Sequence, residues 1–299
     1  MNTLRLTVGF AGLVALVSPL VSSAQTTLAA GDLAFTMINS DTAGGANTLS
    51  QFSFVTFKSL AAGTTINFTD VGWGGTAFRS NTSANESHFT YITSGVVAAG
   101  TQITISGTGS STVATATAGT GTITASQPSG WTSTNTNGLN LDGAGSVTTA
   151  GDQIFAFQGS ATSPTFIAGL TTDLDNGGTF NTTTGWGANA TNVNGSALPT
   201  TLVAGTSALS LSATSSVGVY TAGSEVYSAK AADLTGTRTQ AEWLAYLNDS
   251  ANWTKTGGPF TASTAVLSIS AIPEPSSCAI LAGFGALVGV LVKRKRARK

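Results

Sequence analysis

The sequence predicts an all-β protein: an antiparallel β-sandwich with one short packed helix over about residues 239–249, flanked by an N-terminal signal helix and a C-terminal transmembrane helix. Three observations predict the sandwich. Apolar and polar residues alternate over short spans rich in Thr and aromatics, the period-two signature of half-buried strands. Clusters of Gly and Asn punctuate those spans at 43–47, 72–75, 135–145 and 176–178. A single segment departs from the alternation, with helical spacing behind a capping box.

Taken in order, the chain opens with one cation, Arg5, before an apolar stretch at 6–17, then Pro19 and the small residues Ser22, Ser23 and Ala24. This is the pattern of a secretory signal peptide, with cleavage expected between Ala24 and Gln25. Strands follow where Ile66 and Phe68 alternate with Asn67 and Thr69, where Phe89 and Tyr91 flank Thr90, and where Ile103 and Ile105 flank Thr104. Residues 52–57 and 152–157 are more densely apolar and fit central strands. Residues 108–126 are nearly all Thr, Ser, Ala and Gly and fit either a strand pair with small side chains or an insertion. Strand patterns resume from Gly151, so residues 25–272 read as one domain. Thr239 and Glu242 form the capping box, Trp243, Leu244 and Leu247 share one face of the helix behind it, and Asn248 and Asp249 end it. A helix this short persists only when its apolar face is packed, so it is expected to cover a sheet edge or one end of the sandwich.

The chain closes with Pro273, Glu274 and Pro275, then 17 uncharged residues at 276–292, then Lys293, Arg294, Lys295, Arg296, Arg298 and Lys299. As a helix the apolar run spans roughly 25 Å, against a hydrocarbon core of about 30 Å. The cations hold that end in the cytoplasm by the positive-inside rule, which leaves residues 25–272 (the domain between 1–24 and 273–299) on the far side of the cytoplasmic membrane. Pro273 and Pro275 also make a stiff extended spacer.

A Pro-Glu-Pro, a short apolar helix and a terminal basic cluster, in that order, resemble the PEP-CTERM sorting signal of bacteria that make extracellular polysaccharide. The resemblance implies that Pro273, Glu274 and Pro275 are the motif read by exosortase, a multi-pass membrane enzyme with a cysteine nucleophile. It implies that residues 276–292 are the membrane segment and that the basic cluster is the stop signal. The enzyme would cut near the motif and release or re-anchor the body. A second, less specific resemblance covers most of the body. Residues 31–35, residues 63–70 with Trp73, residues 151–157, residues 236–238 and residues 252–254 are similar to a module of bacterial exoproteins related to the lamin-tail type of β-sandwich. That family implies no catalytic residues to carry over.

Composition bounds the function. Seven of the 12 cations and one of the 13 anions lie in the two terminal segments, so the body keeps five cations and 12 anions, a net charge near −7. No nucleic acid partner is expected, because phosphate contacts need a basic footprint. The one cysteine, Cys278, lies in the apolar C-terminal run, so no disulfide staples the body. His88 is the only histidine. It reads as a polar residue on the solvated face of its strand, and no G-x-S-x-G elbow accompanies it. One His without an exported Cys argues against zinc. Asp173 and Asp175, with Asn176 and Gly177, make a weak calcium candidate that lacks the later bidentate Glu of an EF-hand. No cofactor is called for. Trp73, Trp131 and Trp186 each sit beside glycine and are candidates either for stacking on sugar rings or for filling the sandwich core. The resulting expectation is an exported, non-catalytic structural or interaction protein of the cell surface or the extracellular polysaccharide, sorted by exosortase. The alternative is a glycan-binding module that uses its loop tryptophans.

Overall fold

The computed structural model describes residues 24–39, 50–79, 88–107, 115–117, 119–124, 153–172, 184–188, 195–211, 228–256 and 259–270. The predicted signal helix and transmembrane helix lie outside the described residues, as do Trp131, Asp173, Asp175 and the whole segment from Pro273 to Lys299. Among the described residues no helix is long and apolar enough to cross a membrane.

Two six-stranded sheets face one another. The first contains β1 (Leu33–Asn39), β2 (Ser50–Thr56), β5 (Gln102–Gly107), β6 (Thr115–Ala116), β11 (Ser228–Ala231) and β13 (Trp253–Thr256), in the order β13-β11-β1-β2-β5-β6. The second contains β3 (Thr65–Thr69), β4 (His88–Thr93), β7 (Gly121–Thr124), β8 (Gln153–Ser160), β9 (Ser163–Thr171) and β10 (Ala208–Ser210), in the order β10-β9-β8-β3-β4-β7. A small third pair joins β12 (Thr237–Arg238) to β14 (Ser268–Ile269). The expected alternations fall on β3, β4 and β5, and the two dense runs are the interior strands β2 and β8. The pairing is antiparallel with two exceptions, β9 with β10 and β12 with β14, which correct the purely antiparallel expectation. The Thr- and Ala-rich stretch resolves into β6 and β7. These do not form a pair; each extends a different sheet, so the chain crosses from one sheet to the other at this edge.

The main core lies between the sheets. Phe52, Phe54, Phe68, Phe89 and Tyr91 form a chain of ring contacts, with neighbouring centroids 5.1–6.3 Å apart. Alternation then turns Phe155, Phe157 and Phe166 to the outer face of the second sheet, and that face is also buried. Segments 71–79, 184–188 and 195–205 close over it, bringing Trp73, Phe78, Trp186, Ala197 and Leu202 against the three phenylalanines. This second cluster explains why β8 reads as a continuous apolar run.

The predicted helix is α1 (Gln240–Leu247), N-capped by Thr239. Both halves of the capping box are present, and Trp243, Leu244 and Leu247 are buried. The Thr239 backbone N–H holds the Glu242 carboxyl below the usual carboxylate range. Thr239→Ala should lower stability by about 1 kcal/mol, read as a small fall in the chemical-denaturation midpoint. An unchanged midpoint would mean that packing alone sets this helix.

The two ends of the sandwich differ. At one end the connections are short: 57–64 joins β2 to β3, 94–101 joins β4 to β5, and 161–162 joins β8 to β9. The start of the body and its last described residue, Ser270, are at this end, together with α1, and we call it the terminal pole. At the opposite end, the loop pole, connections 40–49, 80–87, 108–114, 125–152, 173–183 and 212–227 leave from or return to strand ends.

Candidate functional site

Both ends of the body are fixed at the terminal pole by side-chain hydrogen bonds. Ala24 and Gln25 are exposed, and bonding begins one residue later, where the Thr26 N–H donates to Thr64 Oγ1 at 3.0 Å. The Gln158 amide brackets the next turn of chain. Its Oε1 accepts from Leu28 N–H at 2.9 Å, and its Nε2 donates to the Thr26 and Thr65 carbonyls at 3.0 and 2.9 Å. Asp32 accepts from Ala29 N–H at 2.7 Å and pairs with Lys58, also at 2.7 Å.

The C-terminal side is held by a strap, residues 259–270, which runs along the outer face of the first sheet. At the loop pole, the Asn39 amide donates to Phe260 O at 2.9 Å and accepts from Phe260 N–H at 3.0 Å. The strap then passes the outward-facing row of Asn39, Gln51, Ser53, Thr104 and Ser106, whose side chains bond one another across three strands. Near the terminal pole Gln102 Nε2 donates to Ala265 O at 2.7 Å, and Leu267 N–H donates to Gly100 O at 2.9 Å. Gly100 has φ +85°, and a Cβ there would lie 2.2 Å from Leu267 O, so only glycine admits the strap this closely.

Helix α1 fastens the end of the strap. β14 pairs with β12, Ser270 N–H donates to Arg238 O at 2.9 Å, and the Trp243 indole N–H donates to Ser268 O at 2.9 Å. The Arg238 guanidinium lies 4.2 Å from the Trp243 ring centroid and 4.5 Å from that of Tyr246, and it also reaches Asp233 at 3.4 Å. Such stacking contributes about 0.5–1 kcal/mol at partly exposed sites. The strap is thus bonded to the body as far as Ser270, the last of the described residues, and two residues, Ala271 and Ile272, precede Pro273 in the sequence.

The other predicted positions separate. Trp73 and Trp186 are 8% and 1% exposed and belong to the outer-face cluster, with centroids 5.0 Å from Phe166 and 5.5 Å from Phe155 respectively. Gly169 makes room for Trp186, since a Cβ there would lie 3.1 Å from the indole. These two rings pack the protein and present no stacking platform for a sugar. His88 corrects the expectation of a solvated face: it is 1% exposed, on β4 opposite Thr69. Its strand face is the outer face of the second sheet, which the covering segments bury. Burial pushes its pKa down from 6.5 to about 4. Asp70, beside Thr69, is also buried, and Gln153 Nε2 donates to its carbonyl.

A cleft of about 250 Å³ lies beside the end of α1, lined by Thr184, Gly205, Ser210, Asn248, Asp249 and Ser250. Its polar groups already serve the fold. Asn248 Nδ2 donates to Thr206 O and Leu244 O, Asp249 Oδ1 accepts from Ala251 N–H, and Ser210 Oγ donates to Gly185 O. Among the described residues no three His, Cys, Asp or Glu side chains gather to hold a metal.

The sequence reading missed the strap and its anchors Asn39, Gly100 and Gln102. The one local signal was Gly100 itself, a glycine closing a strand connection. Comparison with family models, with curated proteins and with solved structures gives no match. The class rests on the fold alone: an all-β sandwich with both outer faces covered and both ends of the body at one pole.

Proposed function

We propose that this chain is an exported, non-catalytic structural or interaction protein of the cell surface or extracellular polysaccharide. It is delivered by a signal peptide cleaved between Ala24 and Gln25, held in the cytoplasmic membrane through residues 276–292, and processed near Pro273, Glu274 and Pro275 by an exosortase-type membrane enzyme. The observation that carries this reading is the order of motif, apolar run and basic cluster at 273–299. One feature of the body is compatible with it: among the described residues, Ala24 and Gln25 are exposed and hydrogen bonding starts at Thr26, just beyond the predicted signal cleavage.

The test is deletion of residues 273–299, with intact-mass measurement of the protein from the cell surface and from the medium. The expected result is loss of the surface-held fraction and recovery of a folded body beginning at Gln25 in the medium. Unchanged surface retention of the truncated chain would overturn the sorting reading. A mature mass that still includes residues 276–299 would overturn the processing step.

A further inference from the structure

We infer that the body stands on the membrane in one orientation, with the terminal pole against the lipid surface and the loop pole facing away. The inference rests on the membrane segment proposed above and adds which face of the sandwich the bilayer meets. The length of chain between the docked strap and the apolar run carries it.

The strap is bonded up to Ser270, on the pole that carries α1, β12 and β14. From Ser270 to Ser276, where the apolar run starts, there are six residue steps, which span at most about 21 Å when fully extended. Part of that length is taken up in crossing the headgroup layer, which adds roughly 5–7 Å on each side of the hydrocarbon. The remainder is shorter than the sandwich itself, whose seven-residue strands β1 and β2 run about 23 Å. The loop pole therefore cannot reach the surface unless the body lies over on its side.

The test uses the full chain with Cys278→Ser, which leaves no native thiol, and adds one cysteine at a time for a fluorophore. Val96→Cys and Thr162→Cys mark the terminal pole; Thr115→Cys and Thr261→Cys mark the loop pole. All four positions are exposed, Val96 at 77%. The chains are reconstituted into phosphatidylglycerol–phosphatidylethanolamine vesicles containing a lipid with a nitroxide on its headgroup. Flotation with the vesicles tests the membrane segment, and quenching tests the orientation. The expected result is flotation of all four chains, with quenching several-fold stronger at 96 and 162 than at 115 and 261. Flotation with equal quenching at both poles, or with stronger quenching at 115 and 261, overturns the orientation and leaves the anchor standing. Failure to float removes the anchor, and the orientation with it.

Discussion

Trp243→Ala is expected to be among the most damaging single substitutions in the body, lowering stability by about 3–5 kcal/mol, the usual range for truncating a buried tryptophan. Trp243 is fully buried, packs edge-on to Tyr246 with centroids 6.1 Å apart, carries Arg238 on its face, and donates its indole N–H to Ser268 O. Its loss removes core volume, the arginine's platform and a fastening of the strap together. Trp243→Phe separates these effects: it keeps most of the volume and deletes the hydrogen bond, so its cost should be nearer 1–2 kcal/mol. Urea unfolding gives the stabilities, and limited proteolysis reports the strap. Cleavage within residues 259–270 should begin at lower urea than global unfolding in both variants, and in the wild type only together with it. Near-wild-type stability of Trp243→Ala, or strap cleavage no earlier than global unfolding, would show that α1 does not hold the strap.

Acidification should destabilise the body well above the range where carboxylates titrate. His88 ordinarily titrates at 6.5, and burial lowers this to about 4 in the folded protein. Its neutral form is the one the fold accepts, so its contribution is complete above pH 6.5. Below that pH the unfolded chain takes up the proton first, and stability falls by about 1.4 kcal/mol per pH unit until the folded pKa is reached. The full loss between pH 6.5 and 4 is about 3 kcal/mol. His88→Gln should flatten the stability profile across that window while leaving the carboxylate-dependent fall below pH 4 in place. Urea midpoints measured every half pH unit would decide it. A wild-type profile that is flat from pH 6.5 to 4.5, or an identical slope in His88→Gln, would remove His88 as the cause.

What could be read from the sequence follows from which faces were apolar. The strands β3, β4 and β5 alternate because one face meets the main core and the other carries mostly polar residues, Thr and Asn on β3, His88 and Thr90 on β4, and Gln102, Thr104 and Ser106 on β5. The start of the helix could be located to the residue because a capping box is a local device: Thr239 and Glu242 satisfy each other's backbone donors whatever surrounds them. The strand β1 could not be read in this way. All seven of its residues are buried, Thr36 and Asn39 among them, because the outer face of the first sheet is roofed by polar contacts and by the strap. His88 was misread for the same reason. Periodicity assigns a polar residue to solvent, but here the polar face of β4 is closed over by chain from segments 71–79, 184–188 and 195–205. The parallel placements of β10 and β14 depend on contacts between segments far apart in sequence, which no local pattern encodes. The proposed terminal signals rest on the sequence without a fold, because the chemistry that suggests them (charge, length of apolar run, proline) is itself local.

The strap and the order of the first sheet also set a timetable for folding as the chain emerges from its N-terminal end. The second sheet is made of residues 65–210 and has its full complement of strands once that length has emerged. The first sheet does not. Its central strand β1 lies between β2 and β11, Met37 is paired with Lys230, and Asn39 is bonded to Phe260, 221 residues away. Contacts of such long sequence separation form slowly and late. The earliest part of the body therefore waits, half-paired, for the last part to arrive. During that interval β1, paired only with β2, offers an apolar strand with an open edge, a state prone to aggregation. Under the proposed anchoring, a chain held by its last residues would wait through this stage apart from its neighbours, and release before residue 270 had docked would free an incomplete sheet.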